Sequence, residues 1–191
     1  TYYDDSNGIL RSATDIHKVT VPMEALDEAG KYTLCLRPVA ERKPYFSETG
    51  EVVEKEFPFY PVKGEKITAY EIADAHNTVG LVLDAYYKFR DEIGKADFLI
   101  LNGDVPAHCD KGSDFDVVFK LIEGVTGGSI PVVFARGNHD TRGTTAEIFE
   151  NYTPTYNGKT YFTTKLGNLW MIILDCGEDK PDTNAEYGHT I

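Results

Sequence analysis

Residues 97–104 read Asp-Phe-Leu-Ile-Leu-Asn-Gly-Asp. An unbroken apolar run closed by a small residue and a carboxylate predicts a short strand buried on both faces, as in parallel sheets covered on each side. The same grammar recurs on either side of it. Residues 67–73 predict a strand that ends in Asp74-Ala75-His76-Asn77, and residues 130–135 predict one that ends in Arg136-Gly137-Asn138-His139-Asp140. Between the first two strands, Val79, Val82, Leu83, Tyr86, Phe89 and Ile93 recur at helical spacing after a candidate cap at Asn77 or Thr78. Between the second and third, Phe115, Val118, Phe119 and Ile122 mark the inner face of a helix over residues 113–123. A short third helix is predicted over residues 145–151. Residues 161–165 and 169–174 then read as a hairpin turned by Gly167-Asn168. The alternation gives an α/β, layered fold class.

Residues 1–65 follow a different pattern. Short β-branched or aromatic runs at 17–21, 32–39 and 52–59, separated by Pro22, Gly30, Pro44 and Gly50, predict part of a small antiparallel β domain. Pro58 and Pro61 mark the change of pattern, so the expected division is residues 1–65 and residues 66–191.

Composition narrows the chemistry. Against 31 Asp plus Glu the 191 residues carry 19 Lys plus Arg, a net charge of −12. Such a chain repels phosphate backbones and anionic bilayers, which argues against nucleic-acid polymers as partners. No apolar run approaches the roughly 18 residues of a membrane span, and a soluble globular protein is expected. Phosphate chemistry on so acidic a chain needs recruited positive charge, and metal ions are the direct source. Cys35, Cys109 and Cys176 are widely spaced without a Cys-x-x-Cys pair, which suits isolated thiols better than a disulfide scaffold.

In parallel sheets ligands bind beyond the carboxyl ends of the strands. Those positions here carry Asp74 and His76, then Gly103-Asp104, then Gly137-Asn138-His139-Asp140, with Asp175 after the hairpin. Asp74 and His76 are two residues apart, so on extended backbone their side chains point the same way and share one ion. Gly103 lets the chain turn sharply and approach a bound ion, leaving the Asp104 carboxylate free to bridge two cations. Asn138 adds a neutral amide oxygen. Hard oxygen donors plus imidazole suit Mn, Fe or Zn. Arg136 and Arg142 flank the Asn-His-Asp block and serve either a phosphate or neighbouring carboxylates. His108 reads equally as a pocket-rim or a surface histidine.

Taken as a set, Asp74-Ala75-His76, Gly103-Asp104 and Gly137-Asn138-His139-Asp140 resemble the successive blocks of the calcineurin-like metallophosphoesterase superfamily, over about residues 66–177. The resemblance implies a four-layer α/β/β/α sandwich and two divalent or trivalent metal ions. It implies that Asp74 and His76 bind the first metal, Asp104 bridges, and Asn138 binds the second. His139 then meets the substrate phosphate or leaving oxygen, oriented by Asp140, with Asn138 also at the substrate; Arg142, from its place beside this block, is the further candidate for binding substrate. The expected activity is metal-dependent hydrolysis of a phosphomonoester or phosphodiester, a small phosphorylated substrate, by a metal-activated bridging hydroxide. The resemblance also implies a later His and a Gly-His-x-His block. Gly188-His189 lacks the second His, so the remaining ligands are expected beyond residue 191, with the sandwich incomplete at that end and the segment inactive as it stands. Purple acid phosphatases share an N-terminal β domain, but Ala107 stands where they carry a tyrosine ligand, which sets this chain apart from them. Two other readings stay open. One is a hydrolase with an Asp nucleophile, disfavoured because His76 stands where Asp-x-Asp chemistry wants a carboxylate. The other is a catalytically inactive phosphoesterase-like binding or cell-surface module.

Overall fold

The first regular element is a helix, α1 (Met23–Ala29), closed by Gly30 in the left-handed region at φ 64°. Residues 17–21, expected as a strand, adopt no regular structure. The strong helix formers of Met-Glu-Ala-Leu-Asp-Glu-Ala, with a glycine at the position that best tolerates positive φ, account for α1. Strands β1 (Lys31–Leu36), β2 (Val39–Glu41), β3 (Glu48–Thr49) and β4 (Val53–Pro58) follow. β1 pairs antiparallel with β4, and β2 with β3. Tyr32 and Phe57 sit directly opposite each other in the β1–β4 ladder, their rings stacked 5.3 Å apart, a cross-strand pair worth roughly 0.5–1.5 kcal/mol beyond its burial.

The computed structural model describes residues 1–4, 16–41, 43–175, 177–181 and 183–184. The chain forms two compact units, Thr1–Tyr60 and Pro61–Ile191. Cys176 and Gly188-His189 lie outside the described residues. Among the described residues no helix is long and apolar enough to cross a membrane.

The second unit is mixed α/β. Strands β5 (Ala69–Ile72), β6 (Phe98–Asn102) and β7 (Val132–Ala135) form a parallel sheet in that order, joined through helices α2 (Val79–Ile93) and α3 (Asp116–Thr126). Successive residues of β6 serve opposite faces. Leu99 and Leu101 pack with Ile72, Tyr86, Leu121 and Phe134 on the helix side, and Phe98 packs with Val62, Val133, Leu166 and Ile173 on the other. Leu99 and Leu101 have no exposed surface at all, each contributing about 1.5–3 kcal/mol of burial. The second face is covered by the hairpin of β8 (Phe162–Leu166) and β9 (Leu169–Ile173). Its turn needs Gly167 twice over. The residue sits at φ 58°, and a Cβ there would lie 2.5 Å from the Val62 carbonyl oxygen. A second helical layer, which the sandwich expectation calls for, is not seen among the described residues.

Two local expectations shift. The helix expected over residues 113–123 begins as a 3₁₀ turn, Gly112–Phe115, and runs on as α3. The third helix is 3₁₀ over Thr144–Asn151 and kinks at Ile148 (φ −114°, ψ 21°). Thr144, Thr145 and Ile148 are β-branched and resist regular helix, while Phe149 is drawn into the core against Phe115 and Phe134, with ring centroids 5.6 and 5.5 Å away.

Candidate functional site

Three loops leave the carboxyl ends of β5, β6 and β7 and are stitched together by backbone hydrogen bonds. Asp74 N donates to Gly103 O, His76 N to Asp104 O and Asn77 N to Val105 O, each at 3.1 Å. Four non-glycine residues in these loops hold positive φ: Asp74 at 53°, His76 at 42°, Asn77 at 67° and Asp104 at 53°. Each costs about 1–3 kcal/mol and persists only where surrounding bonds over-determine it, a signature of binding and catalytic loops. The backbone at Asp74 and His76 is therefore not extended, which corrects the reason given for their sharing a side. The left-handed turn, rather than strand periodicity, brings Asp74 Oδ1 to 3.7 Å from His76 Nε2.

Asp104 sits at the middle of the arrangement. Its carboxylate Oδ1 accepts from His139 N at 2.8 Å. The fit is tight because glycines face it. A Cβ on Gly103 would lie 2.8 Å from Gly137 Cα, and one on Gly137 would lie 2.3 Å from Asp104 Oδ1. The Asp140 carboxylate lies beneath, fully buried, and its Oδ2 accepts from Gly137 N at 2.8 Å and Asp104 N at 3.1 Å. Burial pushes this carboxyl up to about 7, against the pull of those two backbone bonds. Its Oδ1 has no hydrogen-bond partner.

The donors converge on one spot. Ligand atoms of His76, Asp104 and His139 lie within 4.8 Å of one another, and the two imidazole rings meet edge to face at 4.5 Å. Asn138 stands beside them, its amide between Asp104 and Arg142. With Nδ2 toward Asp104 it donates to Oδ2 at 2.9 Å, and Oδ1 accepts from Arg142 Nη2 at 2.8 Å. Imidazole, carboxylate and amide oxygen together form a donor set that fits a divalent transition metal. Asp74 stands at the rim, its side chain largely exposed.

The His139 ring is held at both nitrogens. Nδ1 is 2.7 Å from Ala107 O and Nε2 is 2.9 Å from Arg142 Nη1. Asp140 touches neither, so the expectation that Asp140 orients His139 is replaced by another role: its carboxylate ties the β6 and β7 loops to each other through their amides. Arg142 is bound in turn to Glu178 and Asp179, and Arg136 Nε lies 2.7 Å from Asp175 Oδ2. Both arginines flanking the Asn-His-Asp block are thus paired with carboxylates. Ala107 and Glu178 carry no signal in the sequence, since one acts through its carbonyl and the other through a chain return after β9. His108 lies apart, with Nδ1 3.2 Å from Asp110 Oδ2 and 3.5 Å from Asp114 Oδ2. Cys109 is buried, with burial first and then Asp140 pushing its thiol up to about 12, so it is no thiolate ligand here.

Residues 67–189 match the family described as calcineurin-like phosphoesterase. The chain belongs to the calcineurin-like phosphoesterase family. The match spans all three strand-end loops, so the clustered donors of this phosphoesterase unit lie within the family region. The family links the chain to metal-dependent phosphoester hydrolysis and to phosphorylated substrates. No curated protein matches the chain.

Proposed function

We propose that the second unit is a two-metal phosphohydrolase acting on a small phosphomonoester or phosphodiester. Asp74 and His76 hold the first metal, Asp104 bridges, and Asn138 holds the second. The observation that carries this reading is the meeting of His76, Asp104 and His139 donors within 4.8 Å, on loops joined backbone to backbone. Bound cations would neutralise a phosphate that a chain of charge −12 otherwise repels, and would activate water for attack on phosphorus.

The chain's own residues do the rest. Asp104 holds the His139 backbone amide, and through it the start of the Asn-His-Asp turn, in register with the β6 loop. His139 stands beside the donor cluster at the phosphate or leaving oxygen, and Arg142, bonded to its Nε2, brings the guanidinium that meets the phosphate there.

The test is hydrolysis of p-nitrophenyl phosphate and bis-p-nitrophenyl phosphate by the protein, with and without Mn²⁺. Metal-dependent release of p-nitrophenol is expected. His139→Ala should lower kcat with metal still bound, whereas Asp104→Ala should lose metal. A folded, metal-loaded protein without turnover would overturn the reading in favour of an inactive binding module.

A further inference from the structure

We propose that Glu178 is a positioning residue for His139, acting through Arg142: it locks the imidazole as the Nδ1–H tautomer and holds its Nε2 against the guanidinium. The inference rests on the reading of His139 and Arg142 as the pair at the substrate phosphate, and it deepens that reading.

The partners on either side of the ring set its tautomer. Arginine has five N–H donors and no acceptor, so at 2.9 Å Arg142 Nη1 donates and His139 Nε2 accepts. A carbonyl oxygen only accepts, so at 2.7 Å Nδ1 donates to Ala107 O. One ring nitrogen must therefore carry the proton and the other the lone pair. The two partners come from opposite sides: Ala107 from the loop after β6, Arg142 from the turn after β7.

Arg142 has this reach because Glu178 holds it. Its Nε donates to Glu178 Oε2 at 2.8 Å and its Nη2 to Glu178 Oε1 at 2.7 Å, the parallel two-bond geometry that orients a guanidinium as well as binding it. With Nε and Nη2 bound to the carboxylate, Nη1 lies toward the imidazole. The Glu178 carboxylate is wholly buried, and Arg142 holds it far below the usual carboxylate range. Asp179 Oδ1 adds a contact to Nη2 at 3.1 Å, and Lys180 Nζ lies 2.6 Å from that same oxygen.

The path of the chain delivers Glu178 to this point. After β9, the Asp175 carboxylate accepts from Gly177 N at 2.8 Å and from Thr160 Oγ1, and its Oδ2 faces Arg136 Nε. Asp175 thus pins the turn to the residue just after β7, and three residues later Glu178 reaches the other arginine of the same loop. A carboxylate pair spaced by three residues clasps an arginine pair that brackets the Asn-His-Asp block. The His139–Arg142 pair beside the donor cluster is aimed by a segment remote from it in sequence.

The test reads the tautomer directly. In ¹⁵N-histidine-labelled protein, long-range ¹H–¹⁵N spectra should show His139 with a pyrrole-type Nδ1 and a pyridine-type Nε2. Glu178→Ala and Arg142→Lys should each convert this to an averaged or Nε2–H pattern. Glu178→Gln, which keeps one acceptor oxygen for Arg142, should restore it in part. In turnover of p-nitrophenyl phosphate, Glu178→Ala should lower kcat about ten- to hundredfold with little change in Mn²⁺ affinity. Should Glu178→Ala fail to fold, Arg142→Lys carries the same spectroscopic reading. An unchanged Nδ1–H signature in a folded Glu178→Ala or Arg142→Lys protein would overturn the proposal. Loss of the signature in a protein without any turnover would instead uphold the clamp and overturn the phosphohydrolase reading.

Discussion

Replacing Gly137 with alanine tests whether the ends of β6 and β7 meet as closely as the site requires. Gly137 is not among the positive-φ glycines, so alanine meets no backbone strain and the whole cost is steric. The new Cβ would stand 2.3 Å from Asp104 Oδ1, 2.6 Å from Asp104 N and 3.0 Å from Gly103 Cα. Ordinary contact lies near about 3.5 Å, so the carboxylate must retreat by about 1 Å and backbone must follow it. That retreat breaks the bond from His139 N to the same oxygen, now 2.8 Å long. Overpacking costs about 1–3 kcal/mol, and loss of a hydrogen bond to a charged group adds about 1.5–3 kcal/mol. For a unit of this size the sum lowers Tm by roughly 10–20 °C. Gly80→Ala is the control: it lies in α2 with nothing within 4 Å of a new Cβ, and should stabilise by up to about 1 kcal/mol. Calorimetry on the three proteins, with Mn²⁺ titrated into each, gives both readouts. Gly137→Ala melting within about 2 °C of the parent, with equal Mn²⁺ affinity, would refute the close approach of the two loops.

Two further outcomes follow from the charged and buried groups. Arg142 holds Glu178 below its ordinary range, so the stabilisation from this carboxylate is full above its unfolded value of about 4.3 and is lost as pH falls below it. The difference in melting temperature between parent and Glu178→Gln should shrink from pH 7 to pH 3; a difference constant across that range would contradict the pairing. Cys109, pushed up to about 12 by burial, is thiolate in less than about one molecule in a thousand at pH 8.5, whereas Cys35 is exposed. Iodoacetamide on native protein followed by peptide mapping should mark Cys35 and spare Cys109; equal labelling would show that the Cys109 site opens.

The clustering of site loops at one sheet edge was legible because parallel strands place their carboxyl ends together, and each strand here ends in a polar or glycine-led block. Asp104 and Asn138 could be found that way, since a glycine before each foretold the close backbone approach that Gly103 and Gly137 make. The helix α1 was equally present in Met-Glu-Ala-Leu-Asp-Glu-Ala-Gly, but a search for β-branched runs passes over it. What could not be read was any role resting on geometry between distant residues. Asp140 looks like the partner of His139 because it follows it in sequence, yet its carboxylate turns inward to two amides.

The sequence alone determined the order of strands and helices in the second unit, the sheet edge where polar residues gather and the family of donors available there, because these follow from periodicity and from what each residue can hydrogen-bond or ligate. Tertiary structure decided the rest: that left-handed turns, not extended backbone, aim Asp74 and His76; that Asp140 braces two loops; and that Ala107 and Glu178 govern the His139 ring. Those roles depend on where a carbonyl and a returning chain come to lie, and no local pattern encodes a contact between residues 32 to 39 positions apart.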